Sequence, residues 1–242
     1  MFFRRKILAA ELLQGLTDCH SHILPNVDDG VRTLEESLQI LSYYEAFGVQ
    51  RVILTPHIMD DYPRNRATFL REEFAALQGA YDGAVELTLA AEYMLDGCFM
   101  EHLASGDLLP LFENYLLVES SCVDSTINIK SLISQIMSRG YFVVLAHPER
   151  YLYLSQSDYR ELRAMQVRFQ LNLPSLLGCY GDQVRVRAER LLKSGMYDLV
   201  GSDIHAYNFH SRVLNTTKLS RSKVEQVEGV KSRMRALMSD EI

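Results

Sequence analysis

Short apolar runs alternate along this chain with longer segments in which apolar residues recur at helical spacing. The two clearest runs, 51–55 and 142–146, are almost wholly apolar in their interiors, which is typical of parallel strands covered on both faces. The pattern predicts strands at about 16–20, 51–55, 85–91, 115–119, 142–146, 167–172 and 198–202. It predicts helices between them at about 33–47, 64–80, 126–139, 157–165 and 182–195.

Signals for helix ends support this alternation. Thr33 is followed three residues later by Glu36, which is the spacing of a capping box at the start of a helix. Gly48, Gly140 and Gly195 each follow a helical segment, where a glycine commonly ends the helix. Strands that alternate with helices in this way indicate a parallel α/β architecture.

Side chains able to bind a metal follow nearly every predicted strand, and only the strand at 167–172 lacks one. Barrels of parallel strands build their sites from the carboxyl ends of several strands, whereas an open doubly wound sheet concentrates its site at one crevice. The distribution therefore favours a closed barrel of seven strands. The nine candidate ligands are His20, His22, Asp29, His57, Glu92, Glu119, His147, Asp203 and His205.

The length of 242 residues suits one α/β barrel domain, and we detect no linker or low-complexity tract. We assign residues 1–15 to an N-terminal extension and residues 16–242 to the barrel. Residues 220–242 form a charged, helix-prone tail, which either packs outside the barrel or mediates oligomer assembly.

The spacing of the histidines is compatible with a shared cation. His20 and His22 are two residues apart, so both imidazoles project from one face of a strand, and Asp203 and His205 repeat the spacing. A histidine pair of this kind alone is weak support, because exposed or core histidines are commoner than ligands. Asp28, beside Asp29 in a tight turn, is expected to be solvated.

Two carboxylates strengthen the case for metal. Glu92 and Glu119 end apolar runs, where an unpaired charge is costly to desolvate, so either a metal or an arginine should lie beside them. Histidines and carboxylates without a thiolate suit zinc, manganese or iron. Nine ligands fit two or three ions with Glu92 as a bridge, and clustered ions that generate a hydroxide are a device for phosphoryl transfer. Arg150 is placed to bind a phosphate with two hydrogen bonds, and a salt bridge to Glu149 or another carboxylate is its alternative role.

Charge and hydropathy exclude other classes of protein. The net charge of −6 and the pI near 5.7 argue against a nucleic-acid binder, which needs a basic stripe. No apolar run approaches the roughly 20 residues of a transmembrane helix, so we expect no membrane span. The four cysteines form no C-x-x-C pair and are expected to be reduced thiols in the cytoplasm.

A competing motif links Cys179 to Arg185 with the C-x5-R spacing of cysteine-dependent phosphatases. Chance explains the match, the segment follows no central strand, and a thiolate mechanism leaves the nine strand-end ligands unexplained. We therefore expect activity to be independent of Cys179.

Seven blocks of sequence resemble the polymerase and histidinol phosphatase (PHP) superfamily, and more narrowly its bacterial tyrosine phosphatases of capsule and exopolysaccharide operons. The resemblance runs from about residue 16 to residue 210 and includes the D-D-G turn and the A-H-P-E-R-Y block. The blocks are Asp18–His22, Asp28–Gly30, Thr55–His57, Ala91–Tyr93, Val118–Glu119, Ala146–Tyr151 and Ser202–His205.

The resemblance implies a distorted (β/α)7 TIM-like barrel with a trinuclear site, usually of manganese or iron. It implies that Arg150 binds phosphate and that a further basic residue follows the last motif, for which His210 and Arg212 are the candidates. The implied sets are His20, His22, Glu92 and Asp203 for one ion, Glu92, Glu119 and His147 for the second, and Asp29, His57 and His205 for the third.

The predicted function is a metal-dependent protein-tyrosine phosphatase in which a metal-bridging hydroxide attacks phosphorus. The resemblance implies a cytoplasmic enzyme whose substrate is phosphotyrosine on a membrane-associated tyrosine kinase of polysaccharide export. Manganese is the favoured metal, with iron and zinc as alternatives. The rival functions are a small-molecule phosphomonoesterase such as a histidinol phosphatase, a nuclease, and a metal-binding regulatory module without turnover.

Overall fold

The computed structural model describes residues 6–123 and 128–239. The helices are α1 Leu34–Ala46, α2 Ala67–Ala80, α3 Phe99–Ser105, α4 Ile129–Ser138, α5 Gln156–Ala164, α6 Leu173–Leu176, α7 Asp182–Lys193, α8 Tyr207–Thr216 and α9 Arg221–Ser239. The strands are β1 Ile7–Leu8, β2 Thr17–Asp18, β3 Arg51–Leu54, β4 His57–Ile58, β5 Glu86–Leu89, β6 Glu92–Met94, β7 Tyr115–Glu119, β8 Phe142–Leu145, β9 Arg168–Asn172, β10 Leu199–Gly201 and β11 Lys218–Leu219.

Parallel strands form a curled, half-barrel sheet in the order β10-β9-β8-β7-β6-β4, and a three-stranded sheet in the order β2-β3-β5 continues it. The second and third predicted strands are each interrupted. Their first halves, β3 and β5, pair with each other beside β2, and their second halves, β4 and β6, pair with each other beside β7. The interruption at 55–56 contains Pro56, which has no N–H to donate to a neighbouring strand.

The ends of the two sheets meet and close a ring of seven strand positions. The amide of Asp203 donates to the carbonyl of His20 at 2.8 Å, and the amide of His22 donates to the carbonyl of Ile204 at 3.0 Å. The prediction of a parallel α/β barrel of seven strands is confirmed, and the strand interruptions are its distortion.

The predicted helices correspond to α1, α2, α4, α5 and α7, and the helix-prone tail corresponds to α9. The predicted helix at 126–139 corresponds to α4, while its residues 126–127 lie outside the described residues. Helices α3, α6 and α8 were not predicted, and of these α3 and α6 are short, with seven and four residues. Among the described residues, no helix is both long and apolar enough to cross a membrane.

The tail helix is tied to the start of the chain. Lys231 is almost fully buried, and its ammonium group donates to the carbonyls of Leu12 at 3.0 Å and Gln14 at 2.7 Å. Strand β1 also pairs with β11, so the described part of the N-terminal segment packs against the C-terminal elements. Apolar side chains from both segments, including Leu13 and Val230, join the hydrophobic core.

Candidate metal centre

Seven of the nine candidate ligands line a cavity of about 450 Å³ at one end of the barrel, and His20 and His22 lie buried beside it. The parallel register brings the carboxyl ends of the strands to the same edge, so residues far apart in sequence become neighbours. Three groups of closely spaced donor atoms overlap by sharing His22, His57 and Glu92. His147 lies 3.1 Å from Glu92 and Asp203 lies 3.4 Å from His22, so both adjoin these groups.

The deepest group contains His20, His22, Glu92 and Asp203. Nε2 of His20 lies 3.0 Å from Oε2 of Glu92 and 3.1 Å from Nε2 of His22. Oδ1 of Asp203 lies 3.5 Å from Nε2 of His20 and 3.4 Å from Nε2 of His22. Four donor atoms from three separate strand ends therefore face one another in a fully enclosed part of the site.

Glu92 connects this group to a second one through its other oxygen. Oε1 of Glu92 lies 3.1 Å from Nε2 of His147, while Oε2 lies 3.3 Å from Nδ1 of His57. Glu119 lies on the far side of these histidines, with Oε1 3.0 Å from Nδ1 of His57 and Oε2 3.7 Å from Nε2 of His147. The geometry gives Glu92 the position of a bridging carboxylate.

The third group lies nearest to solvent. Oδ1 of Asp29 is 3.5 Å from Nε2 of His57 and 3.6 Å from Nε2 of His205. The side chain of Asp29 is 57% exposed and that of His205 is 31% exposed, whereas those of His20, His22 and Glu92 are fully buried. The site therefore runs from an enclosed floor to an open mouth.

The ionisation of these groups follows from their proximity. Burial lowers the pKa of His20, but the charges of Glu92 and Asp203 outweigh it and raise the pKa to about 9. Burial raises the pKa of Glu92, but the neighbouring His20 and His147 outweigh it and hold the pKa well below its ordinary value. Glu92 is thus kept in its charged form, which is the form that binds a cation.

The donor set fits divalent metal ions. Nδ1 of His57 is a buried nitrogen without a hydrogen-bond partner in the described ranges, although carboxylate oxygens of Glu92 and Glu119 lie within 3.3 Å. An imidazole nitrogen facing two carboxylates without a hydrogen bond is the arrangement expected around a shared cation. Imidazole and carboxylate ligands without thiolate suit borderline metals such as manganese, iron or zinc.

Two candidate ligands have an unusual backbone conformation. His147 has φ 34° and Asp203 has φ 51°, in the left-handed region that costs a non-glycine residue energy. Such strain clusters at functional sites, where the surrounding structure enforces it. Gly201, at the end of β10, allows this strand to pack closely against His20, because a Cβ atom at position 201 would lie 2.5 Å from Cβ of His20.

Asp28 is placed differently from the prediction. We expected a solvated turn residue, but the Asp28 carboxylate is fully buried and Oδ2 lies 3.1 Å from Nδ1 of His22. The same oxygen accepts a hydrogen bond from the amide of His57 at 3.0 Å. Burial raises the pKa of Asp28, but His22 outweighs it and lowers the pKa to about 2. Asp28 therefore orients His22 so that Nε2 faces the other ligands, as carboxylates commonly do beside metal-binding histidines.

The sixth strand supplies orienting residues in place of ligands, and sequence reasoning missed them. Oε1 of Gln170 lies 3.1 Å from Nδ1 of His20 and also accepts the amide hydrogen of His147. The side-chain amide of Asn172 donates to Oδ2 of Asp203 at 2.6 Å. Both side chains are fully buried, and the signal that could have identified them is a polar residue alternating with apolar ones on a buried strand.

Arg150 lines the cavity beside these groups. Its Nη1 donates to Oδ2 of Asp203 at 3.3 Å. Glu149, the alternative partner, is instead bonded to the hydroxyl of Tyr197 and the amide of Asn172. The alternative salt bridge is therefore present, with Asp203 in place of Glu149, and it directs the guanidinium toward the candidate ligands.

The two further basic candidates differ in position. His210 lines the cavity on α8 and is buried, and its Nε2 lies 3.2 Å from the hydroxyl of Tyr44. Arg212 is exposed and does not line the cavity. Burial lowers the pKa of His210 to about 3, so the imidazole is neutral near pH 7 and carries no positive charge for a phosphate there.

This low pKa predicts a pH-dependent stability. His210 binds a proton at about pH 6.5 when unfolded but only near pH 3 when folded, so protons favour the unfolded state between these values. We expect the wild type to lose up to about 1.4 kcal/mol of unfolding free energy per pH unit more than His210→Gln as the pH falls from 6 to 4.5. Urea denaturation of the metal-free proteins measures this, and parallel curves for the two proteins would contradict it.

The cysteine motif has none of the features of a catalytic thiolate. Burial raises the pKa of Cys179, whereas a nucleophilic cysteine needs a lowered one. Arg185 pairs with Asp182 and Glu189 instead of facing the sulfur, and neither end of the motif lines the cavity.

Comparisons with known proteins identify a family and several relatives of this chain. Residues 16–236 match the protein family described as Capsular polysaccharide synthesis, CpsB/CapC. Tyrosine-protein phosphatase CpsB of Streptococcus pneumoniae is 30% identical over 210 residues, which cover 81% of this chain and 85% of the relative. Tyrosine-protein phosphatase YwqE of Bacillus subtilis (strain 168) is 26% identical over 206 residues, which cover 81% of each protein.

A solved structure shares the architecture. It comes from work described as crystal structures of YwqE from Bacillus subtilis and CpsB from Streptococcus pneumoniae, unique metal-dependent tyrosine phosphatases. The TM-score is 0.76 at 23% identity, and the match covers 93% of this chain and 92% of that chain. At this level of identity the likeness shows a common fold.

Proposed function

The chain belongs to the CpsB/CapC family of capsular polysaccharide synthesis proteins, and on this premise we propose that it is a metal-dependent protein-tyrosine phosphatase. The observation that carries the proposal is that nine candidate histidine and carboxylate ligands and one arginine converge at one end of the barrel, where seven of the nine line a cavity. The names of the relatives as tyrosine-protein phosphatases support the same reaction.

We propose that the cavity holds three divalent ions, with manganese favoured over iron and zinc. The deepest ion would be held by His20, His22, Glu92 and Asp203, the second by Glu92, Glu119 and His147, and the outermost by Asp29, His57 and His205. When bound, such ions lower the pKa of a coordinated water and neutralise the charge of a phosphoryl group.

The protein side chains contribute orientation and charge. Arg150 faces the cavity with a guanidinium that can donate two parallel hydrogen bonds to a phosphoryl group, which positions the substrate and balances charge that develops during transfer. Gln170 and Asp28 hold His20 and His22 in fixed orientations. The phenolate of tyrosine is a good leaving group, so the neutral His210 does not need to supply a proton for the reaction to proceed.

The aromatic mouth of the cavity supports an aromatic phosphoester over a small polar one. Tyr62 and Phe209 line the opening, and Phe209 is 46% exposed although it is a large apolar residue. The ring of Tyr62 lies parallel to that of His57, with centroids 6.2 Å apart. Exposed aromatic surface beside a polar floor suits a substrate with an apolar ring and a charged end.

We further propose that the substrate is phosphotyrosine on a membrane-associated tyrosine kinase of polysaccharide export, encountered in the cytoplasm. The family's link to capsular polysaccharide synthesis supports this partner. Incubation of the phosphorylated kinase with the protein, followed by phosphotyrosine immunoblotting, tests it. Persistence of the signal under conditions that hydrolyse a phosphotyrosyl peptide would exclude the kinase as substrate.

The test of the reaction compares three substrates with the manganese-loaded protein. We expect hydrolysis of p-nitrophenyl phosphate and a phosphotyrosyl peptide, a kcat/KM for histidinol phosphate at least tenfold lower, and unchanged rates in Cys179→Ser. Preference for histidinol phosphate would support the small-molecule phosphatase instead. Stoichiometric metal without turnover on any substrate would support a regulatory module.

A further inference from the structure

The loop between α6 and α7 holds an aromatic ring against Arg150. The centroid of the Tyr180 ring lies 4.6 Å from Cζ of Arg150. The hydroxyl of Tyr180 donates to Oδ2 of Asp203 at 3.4 Å, the same oxygen that accepts the hydrogen bond from Arg150. Tyr180 therefore touches both members of the ion pair that directs Arg150 into the cavity.

The backbone of this loop is arranged to present the ring. Gly178 has φ 89° and Gly181 has φ 88°, a conformation that a residue with a Cβ atom adopts only with strain. The amide of Cys179 donates to the carbonyl of Pro174 at 3.0 Å, and the amide of Gly181 donates to the carbonyl of Gly178 at 3.2 Å. The turn thus fixes the position of Tyr180 on both sides, in the segment that carries the C-x5-R motif.

We propose that Tyr180 is the positioning residue for Arg150, an inference that rests on the proposed phosphoryl chemistry of the site. A guanidinium held over an aromatic face and tethered at one nitrogen loses little freedom when a phosphoryl group binds it. The side chain of Arg150 is only 26% exposed, and the stacking is correspondingly shielded from water. Preorganisation of this kind strengthens binding by lowering the entropy lost on association.

The ring matters more than the hydroxyl in this arrangement. A distance of 3.4 Å is long for a hydrogen bond between an O–H group and a carboxylate, which normally measures about 2.5–3.0 Å. Asp203 also retains a shorter bond from Asn172 at 2.6 Å, so it stays oriented without the tyrosine hydroxyl. Phenylalanine at position 180 should therefore preserve the function, and an aliphatic residue should not.

The test measures the binding of inorganic phosphate to the manganese-loaded protein by calorimetry. We expect Tyr180→Leu to raise the phosphate dissociation constant by about fivefold to thirtyfold, corresponding to ~1–2 kcal/mol for a shielded cation–π contact. Tyr180→Phe should stay within about twofold of the wild type. With p-nitrophenyl phosphate, Tyr180→Leu should raise KM by the same factor while kcat falls less than threefold, because the contact acts on phosphate in ground and transition state alike.

The control is Phe69→Leu, which removes the ring beneath Arg64, a stacked pair that does not line the cavity. It should leave phosphate affinity unchanged, and metal content should be equal in all four proteins. Equal phosphate affinity in Tyr180→Leu and the wild type would overturn the inference, as would an equal loss in Tyr180→Phe. Phosphate binding without turnover in the wild type would instead remove the proposed function and leave the inference standing.

Discussion

Removal of metal should both abolish turnover and lower the free energy of unfolding of the protein. Treatment with EDTA and desalting is expected to lower kcat/KM for p-nitrophenyl phosphate by at least about 10³-fold, because metal ions contribute several kcal/mol of charge stabilisation to phosphoryl transfer. Without the ions, the buried carboxylates are balanced by protons on histidines, since the pKa values of His20, His22 and His57 are all raised. Since the ions bind the folded state, an excess of about 100-fold over the dissociation constant adds about 2.7 kcal/mol to the unfolding free energy.

Both effects should reverse when manganese is added back. Parallel assays of rate and urea midpoint across a manganese titration would check that activity and stability recover over the same concentration range. Full activity after exhaustive chelation, with no metal detected by elemental analysis, would contradict the prediction.

Substitution of Glu92 by glutamine should have an effect of similar size. Glu92 is the residue whose two oxygens face different histidines, with His20 at 3.0 Å on one side and His147 at 3.1 Å on the other. An amide of the same shape keeps one oxygen but loses the charge and presents hydrogens where the second oxygen lies. We expect kcat/KM to fall by about 10³-fold or more and at least one bound ion to be lost.

The matched control is Glu86→Gln, on the first half of the same interrupted strand. Glu86 is paired with Arg51 at the opposite end of the barrel from the cavity, and its side chain is 56% exposed. Glu86→Gln should change neither the metal content nor kcat/KM. Glu92→Gln with the full complement of metal, measured by elemental analysis, would show that the bridge between the two groups is not required.

The sequence was most informative where side chains able to bind a metal stood at the ends of predicted strands. Histidine and carboxylate residues at the ends of apolar runs are unusual, and the barrel brings all nine of them together at one end, as the pattern predicted. The parallel order of the seven strand positions could also be inferred, since buried strands alternated with helices. Which ion each side chain binds stays a prediction.

Residues that orient the ligands could not be inferred in the same way. Asp28 resembles a turn residue in sequence, and only the fold reveals that it is buried against His22. Gln170 and Asn172 alternate with apolar residues on a buried strand, but this spacing does not reveal their partners, which lie on other segments of the chain. Tyr180 likewise lies in a loop whose glycines determine its placement, and periodicity carries no information about such turns.

Asp203 contacts both the histidines of the deepest group and Arg150. Its Oδ1 faces the imidazoles of His20 and His22, while Oδ2 accepts hydrogen bonds from Arg150 and Asn172. Thermodynamic reciprocity then applies: whatever factor cation occupancy adds to phosphate affinity, phosphate must add to cation affinity. A bound phosphoryl substrate should therefore help the protein to retain its metal ions, because the one carboxylate of Asp203 contacts both the candidate metal ligands and Arg150.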